Sequence, residues 1–192
     1  MTRSGHSLDP TDPAAGLSVV LLRPLAGVLE KLGMDASGFL SALGVDDETS
    51  LHSCVPGERV DRVLDALATQ RGDRAFGLTL ARAAVVRPLG LFGHMIWLSG
   101  TVRDAIERAT RFYAVVSRRT LLTFEERADG AVLRQGTAPG VTRGRVLTEF
   151  TFASFALRAR EATLGRFPVR RVCFAHARGA ASLEPYRALF EA

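Results

Sequence analysis

The stretch RVLTEFTFASFALRAREATLG, residues 145–165, decides the fold because it predicts a long helix with two apolar faces. At helical spacing, one side carries four apolar residues, namely Val146, Phe150, Ala153 and Leu157. The roughly opposite side carries another four, namely Phe152, Phe155, Ala159 and Ala162. A helix of this kind lies between two layers of its own chain, or between its own core and a second subunit. Gly165 is the expected stop of this helix.

The segments on either side of this helix predict a small sheet. Upstream, residues 119–137 form two short extended runs around an Asp-Gly turn, which is typical of a β-hairpin. Downstream, VRRVCFAH at residues 169–176 predicts a strand, and LEPYRALFEA at residues 183–192 predicts a final helix. A sheet of three strands is small for independent stability, so we expect at least one more strand beyond residue 192.

The front half of the chain is helical by its pattern, with helix stops such as Gly33 and Gly72. LGLFGHMIWLSG, residues 89–100, is apolar nearly all round and predicts a helix that is buried on every side. Residues 1–16 are polar and predict a disordered tail, and residues 17–192 form one domain. The fold class is therefore α+β, with a helical N-terminal half followed by a β-β-α-β-α unit and a small, mainly antiparallel sheet.

Composition and charge narrow the function. The net charge is +5 and the isoelectric point about 10.2, but the arginines are spread along the chain and form no basic cluster. No DNA-binding face is therefore expected within this chain. The N-terminus lacks the apolar run of a secretory signal, and the apolar stretch at residues 17–29 is interrupted by Arg23 and Pro24. We expect a cytoplasmic protein with no membrane contact.

The residue types that carry chemistry do not converge. His52, Ser53 and Cys54 form the one tight cluster, but neighbours in a loop do not point at each other. The two cysteines form no CxxC, and the four histidines are scattered, so we expect no metal, no cofactor and no enzymatic activity. His176, at the end of a predicted strand, is expected to fasten a loop to the backbone rather than to act as a base.

A pocket for a small ligand is expected around the apolar helix at residues 89–100 and the helix that follows it. Pockets combine apolar walls with a few polar groups, and five residues offer that mixture: Phe92, His94, Trp97, Phe112 and Tyr113. The same residues also suit an ordinary core. His94 in particular is either a core histidine with one hydrogen-bond partner or a pocket residue.

Several phrases in fixed order resemble a known family. They are GLTLA at residues 77–81, the run LGLFGHMIWLSGTVRDAI at residues 89–106, and the ending FAH…YRALF at residues 174–190. Residues 17–192 as a whole resemble the N-terminal effector-sensing region of AraC-type transcriptional regulators, often described as arabinose-binding-like. The resemblance implies that the chain stops before the last strands of its sheet and before a C-terminal domain of two helix-turn-helix units.

The resemblance also implies a function. Such a domain binds a small-molecule effector, forms a homodimer, and controls transcription through DNA contacts made by the absent C-terminal domain. The second apolar face of helix 145–164 is the candidate dimer contact, with Phe152, Phe155 and Ala159 in it; the alternative is that this face supports the helical half of the same chain. A stand-alone binding or dimerisation module without DNA-binding activity is the competing function. The sequence does not identify the effector, the promoter or the sign of regulation.

Overall fold

The structure of the protein, a computed structural model, describes residues 16–84, 90–137, 141, 144–177 and 182–190. These residues form helices and two antiparallel pairs of strands. In chain order the elements are β1 (Gly16–Ser18), α1 (Val19–Lys31), α2 (Ala36–Leu43), β2 (Cys54–Pro56), α3 (Gly57–Arg71), α4 (Phe76–Ala84), α5 (Gly90–Trp97), α6 (Val102–Phe112), β3 (Thr120–Arg127), β4 (Gly130–Thr137), α7 (Arg145–Ala162) and α8 (Glu184–Phe190).

Helix α7 is the central element of the fold. It packs against α3, α4 and α8, and none of its residues before Glu161 is exposed. The approach of α4 is especially close, because a Cβ built on Gly77 would lie 2.5 Å from the Val146 carbonyl oxygen and 2.6 Å from the Glu149 Cβ. The predicted pattern of two apolar faces is therefore confirmed, and both faces are covered by other parts of the same chain.

The helix ends follow their sequence signals. Asp35 precedes α2 and accepts a hydrogen bond from the Gly38 amide at 2.8 Å, and Thr101 precedes α6 and accepts one from the Asp104 amide at 3.1 Å. Gly72 ends α3 with a φ of +67°, a conformation that residues with a Cβ rarely adopt. Pro24 lies within the continuous helix α1.

The predicted hairpin is confirmed as β3 and β4, which pair in register from Thr120 with Thr137 to Arg127 with Gly130. A second, shorter pair was not predicted: β1 pairs with β2. Strand β1 also contacts the segment that leads into the hairpin, since the Ser18 amide donates to the Val116 carbonyl at 3.0 Å. Through β1 the helical front half is thus joined to the start of β3.

The third predicted strand of the sheet is not formed. Residues 169–174 have no regular secondary structure, although Val172, Phe174 and His176 alternate with exposed neighbours as they would in a strand. However, no strand of the described part of the chain lies beside them to complete a ladder. Side-chain packing fixes this segment instead, because the Phe174 ring lies 6.0 Å from that of Phe152 and 6.2 Å from that of Phe190. The α+β class is confirmed, with two two-stranded sheets in the residues described.

Helix α5 is not buried on every side, contrary to the prediction. Its described side chains are half-buried or exposed, and Leu98 just beyond its end is 77% exposed. The helix is a wall between solvent and an interior space, which an all-round apolar sequence does not distinguish from a core helix. Of the predicted tail, residues 1–15 lie outside the described residues, and Gly16 belongs to β1. Among the helices that the structure describes, none has the length and apolar character to cross a membrane.

Candidate functional site

A cavity of about 610 Å³ lies along one face of α7. Its opposite walls come from β1, α5 and α6, and the hairpin and α3 close one end. The residues of α7 that line it run from Leu147 to Thr163, a stretch of roughly 24 Å at a rise of about 1.5 Å per residue. Most of the lining is hydrocarbon, contributed by Leu17, Leu21, Ala81, Ala84, Phe92, Ile96, Trp97, Val102, Ala105, Ile106, Tyr113, Val116, Leu147, Phe150, Phe155, Ala159 and Ala162.

Three of the five predicted pocket residues line this cavity. Phe92 lines it from the inner face of α5, Trp97 lines its rim and is 47% exposed, and the Tyr113 ring meets the Phe92 ring edge-on at 6.0 Å. His94 lies two residues after Phe92, which turns it to the outer face of the helix, and it is exposed. Phe112 is 39% exposed and lies beneath the Arg111 guanidinium at 5.4 Å. The structure thus places His94 and Phe112 outside the cavity.

One end of the cavity holds a buried ion pair. Arg119 Nη2 lies 2.8 Å from Asp61 Oδ2, and the two side chains are only 4% and 12% exposed. Both residues line the cavity. A paired charge of each sign in an apolar interior is tolerated because each compensates the other, whereas removing one partner costs about 3–5 kcal/mol.

This ion pair fits because two neighbouring glycines have no Cβ. A Cβ at Gly57 would collide with the Arg119 side chain, and a Cβ at Gly144 would collide with the Asp61 carboxylate. Gly57 is the first residue of α3 and Gly144 immediately precedes α7. The ion pair is therefore held where the starts of these two helices meet the start of β3.

Burial raises the pKa of the Asp61 carboxyl above its ordinary value of 3.8, and the nearby Arg119 charge opposes this rise. Tyr113, on the same cavity wall, also has a raised pKa because it is buried, and its hydroxyl contacts Thr151 Oγ1 at 3.2 Å. The phenol of Tyr113 is therefore neutral and available as a hydrogen-bonding group.

Polar atoms around the cavity divide into two groups. Thr148, Thr151 and Thr163 on α7 each donate to the carbonyl four residues earlier at 2.8 Å. Four other buried polar atoms of lining residues have no hydrogen-bond partner among the described residues, and they are Asp61 Oδ1, Ser99 Oγ, Gln135 Oε1 and Ser154 Oγ. A buried polar group left without a partner costs about 1–3 kcal/mol, so such groups mark places where a ligand gains by bonding.

The rim of the cavity near the end of α5 is closed by a cation and an aromatic ring. Arg158 Cζ lies 5.3 Å from the centroid of the Trp97 ring. The same guanidinium donates to the Ala84 carbonyl at 2.6 Å and forms an ion pair with Glu161 at 3.2 Å. Arg158 thus connects the ends of α4 and α5 to α7.

The candidate dimer residues all face other parts of this chain. Phe155 and Ala159 line the cavity, and Ala159 is 9% exposed. Phe152 is half-buried and its ring meets that of Phe174 edge-on at 6.0 Å. These contacts match the alternative in which the second face supports the same chain. A contact between two copies through these residues stays a prediction.

A second polar cluster lies on the opposite side of α7, around the fully buried Glu149. Tyr186 donates to Glu149 Oε1 at 2.7 Å, Arg145 Nη1 lies 3.6 Å from that oxygen, and His176 Nε2 lies 3.4 Å from it. His176 Nδ1 also lies 3.3 Å from the Ala177 carbonyl, in agreement with its expected role in holding a loop. Burial raises the pKa of the Glu149 carboxyl, against the opposing effects of these three neighbours.

The cluster at residues 52–54 shows no catalytic arrangement among the described contacts. His52 and Ser53 are exposed, and Cys54 begins β2 as a free thiol. Within the part of the chain that the structure describes, no group of three or more His, Cys, Asp or Glu residues is placed to hold a metal ion.

The comparisons with known proteins identify the family. A model of the N-terminal arabinose-binding domain of AraC transcription regulators matches residues 33–192. The chain therefore belongs to this family, as the resemblance predicted. No curated protein matches the sequence. This family consists of regulatory ligand-binding domains, so a large cavity is an expected feature of the fold.

Asp61 and Arg119 are site residues that the sequence prediction missed. Their separation of 58 positions (119 − 61) gives no local signal for the pairing. A signal for Asp61 does exist, however: it lies four residues after Gly57 and three before Leu64, on the buried face of α3. A charged residue on a buried stripe indicates a compensated pair or a functional site.

Proposed function

We propose that this chain is an effector-sensing domain, which binds a small and largely apolar molecule in the cavity beside α7. In this proposal the bound state controls transcription through a helix-turn-helix domain of the kind that the resemblance implies. The observation that carries the proposal is the cavity itself. Its volume of about 610 Å³ lies within the range of ligand pockets, and its apolar walls carry a few buried polar groups.

The packing around the cavity supports a mechanism by population shift. The main core is built by α1, α3, α4 and α7, whereas Ala109 is the only fully buried residue that α6 contributes among those described. Helices α5 and α6 therefore form a weakly attached layer on the far side of the cavity. A ligand that contacts both this layer and α7 stabilises the arrangement in which they are close.

The experiment fills the cavity. Ala105 lines it from α6, and Ala105→Phe places a ring in the space that the ligand needs. Ala66→Phe, on the exposed face of α3, is the matched control. In a thermal-shift screen, a ligand at one hundred times its dissociation constant stabilises the chain by about 2.7 kcal/mol. We expect Ala105→Phe to abolish this shift and Ala66→Phe to retain it. Equal shifts in both variants would contradict binding in this cavity.

The remaining parts of the proposal concern partners and location. We expect a binding domain without catalytic activity, a homodimer and a cytoplasmic location, with DNA contacted by the helix-turn-helix domain. Light scattering tests the dimer directly, since it distinguishes 20.7 kDa from twice that mass. The family assignment supports a regulatory domain that binds a small molecule.

A further inference from the structure

We propose that the ligand is an elongated, uncharged amphiphile, whose hydrocarbon body lies along α7 and whose hydroxyl donates to Asp61 at the closed end of the cavity. This inference rests on the proposed function and names the chemical class of the effector. Three features of the cavity carry it: its length and apolar walls, the neutrality of its ion pair, and the kind of atom left without a partner.

The walls favour a hydrocarbon body. Along the roughly 24 Å of α7 that line it, the cavity is bounded mainly by aliphatic and aromatic side chains from α5, α6 and α7. A free sugar presents hydroxyl groups on all sides, and most of them would lie against hydrocarbon without a partner. The molecule that fits has one polar end and an apolar remainder.

The charges at the closed end favour an uncharged head group. Asp61 and Arg119 compensate each other at 2.8 Å, so the end carries both signs and no net charge. A ligand anion would lie against the Asp61 carboxylate, and a ligand cation would lie against the Arg119 guanidinium. Either would have to disrupt the ion pair to gain a favourable contact.

The unpartnered atoms favour a donor. Of the four lining atoms without a hydrogen-bond partner among the described residues, Asp61 Oδ1 and Gln135 Oε1 can only accept, and the Ser99 and Ser154 hydroxyls can accept as well as donate. The threonines on the facing stretch of α7 have already donated to their own helix. A hydroxyl hydrogen from the ligand would satisfy one or both of these acceptors, which an ether oxygen cannot do.

The test compares four probes with the same ten-carbon body: decan-1-ol, decanoate, decylammonium and 1-methoxydecane. Trp97 is the single tryptophan of the chain and lines the cavity, so its fluorescence reports binding without a label. Titrations at pH 7 use concentrations below those at which the probes form micelles. We expect decan-1-ol to bind at least tenfold more tightly than either charged probe, and at least fivefold more tightly than the ether.

Two variants connect the preference to the named atoms. Asp61→Asn removes the carboxylate charge beside Arg119, and we expect it to raise the affinity for decanoate at least tenfold. Asp65→Asn, one turn further along α3 and exposed, is the control. Gln135→Leu removes the second acceptor without removing a charge, and we expect a decrease of about fivefold in decan-1-ol affinity; Gln70→Leu is its exposed control.

The outcomes separate the ligand class from the function. If a charged probe or the ether binds as tightly as decan-1-ol, the class proposed here is overturned, while saturable binding of any probe leaves a ligand-binding cavity in place. If none of the four probes binds saturably, the ligand class is overturned, and the proposed function is decided by the Ala105→Phe and Ala66→Phe screen alone. Gln135→Leu keeps the test decisive if Asp61→Asn does not fold, which circular dichroism shows.

Discussion

Asp61 and Glu149 are both carboxylates in largely apolar surroundings, and they differ in the groups that compensate their charge. Asp61 contacts one guanidinium at 2.8 Å beside the cavity. Glu149 is fully buried and has three weaker neighbours, of which the Tyr186 hydroxyl at 2.7 Å is the closest. Both carboxyls have a pKa raised by burial, so for each of them the cost of burying the charged form outweighs the compensation from its neighbours.

The pH dependence of stability follows from the raised pKa of Glu149. Below its ordinary pKa of 4.5 the carboxyl is protonated in both the folded and the unfolded chain. As the pH rises, the unfolded chain releases this proton first, and the free energy of unfolding falls until the folded carboxyl has also ionised. Glu149→Gln removes this contribution, although Arg145, His176 and Tyr186 still face the position.

We therefore expect the unfolding free energy of Glu149→Gln to fall less between pH 4.5 and pH 8 than that of the parent chain. Urea unfolding at a series of pH values measures it. Glu107→Gln changes an exposed glutamate of α6 and is the matched control, expected to follow the parent curve. A steeper fall in Glu149→Gln would show that Tyr186, Arg145 and His176 outweigh the cost of burial.

The residue-scale prediction named Phe92 and Trp97, which line the cavity, together with His94, which does not. Phe92 and His94 are two residues apart and lie on opposite sides of α5, whereas Trp97, three residues after His94, lies at the rim of the cavity and is 47% exposed. Because α5 is apolar on all sides, its sequence does not show which face of the helix is turned toward the interior. Asp61 and Arg119 were out of reach for another reason, since only the tertiary fold brings α3 to the start of β3.

At the scale of elements, sequence pattern predicted α7 and the hairpin well because both are locally specified. In the hairpin, an Asp-Gly turn joins two extended runs, and α7 has apolar residues on two faces. In the segment at residues 169–176, more buried and more exposed side chains alternate as in a strand. A strand also requires a neighbouring strand to pair with, and the local sequence does not show whether one is present. The segment's Phe174 side chain packs on Phe152 of α7 and Phe190 of α8 instead.

The close contact between α4 and α7 gives a prediction for Gly77. A Cβ there would lie 2.5 Å from the Val146 carbonyl oxygen and 3.0 Å from the Phe150 amide nitrogen, both of them backbone atoms that cannot rotate away. We expect Gly77→Ala to destabilise the chain by about 1–3 kcal/mol through overpacking.

Gly27→Ala is the matched control, because Gly27 lies inside α1 with nothing within 4 Å of its added Cβ. There the substitution should stabilise the helix by roughly 0.5–1 kcal/mol. Thermal unfolding of both variants measures the contrast. Equal effects at the two positions would show that the helices separate easily at Gly77.

For the whole molecule, the main question is whether the second face of α7 belongs to the fold or to a dimer. Phe152 packs against Phe174 of its own chain, at a centroid distance of 6.0 Å. We expect Phe152→Asp to lower the free energy of unfolding by roughly 1–3 kcal/mol, because a carboxylate would replace a ring within this cluster. Leu121→Asp, at a position that is 64% exposed, is the control for the same type of change and should have little effect on stability.

Light scattering on the same two variants decides the dimer prediction separately from stability. A folded monomer from Phe152→Asp, against a dimeric parent, would support the contact through α7. An unchanged mass would place any contact between copies elsewhere, and a change of mass in Leu121→Asp would place it on the hairpin.

The central position of α7 also affects how the chain folds while it is being synthesised. Helix α4 is complete at residue 84, but α7 ends only at residue 162, which is 78 residues later. At about 5–20 residues per second, the nascent chain leaves the apolar side of α4 uncovered for roughly 4–16 s. We therefore expect chaperones to bind the ribosome-attached chain during this interval, and to be released once residues 145–162 have emerged.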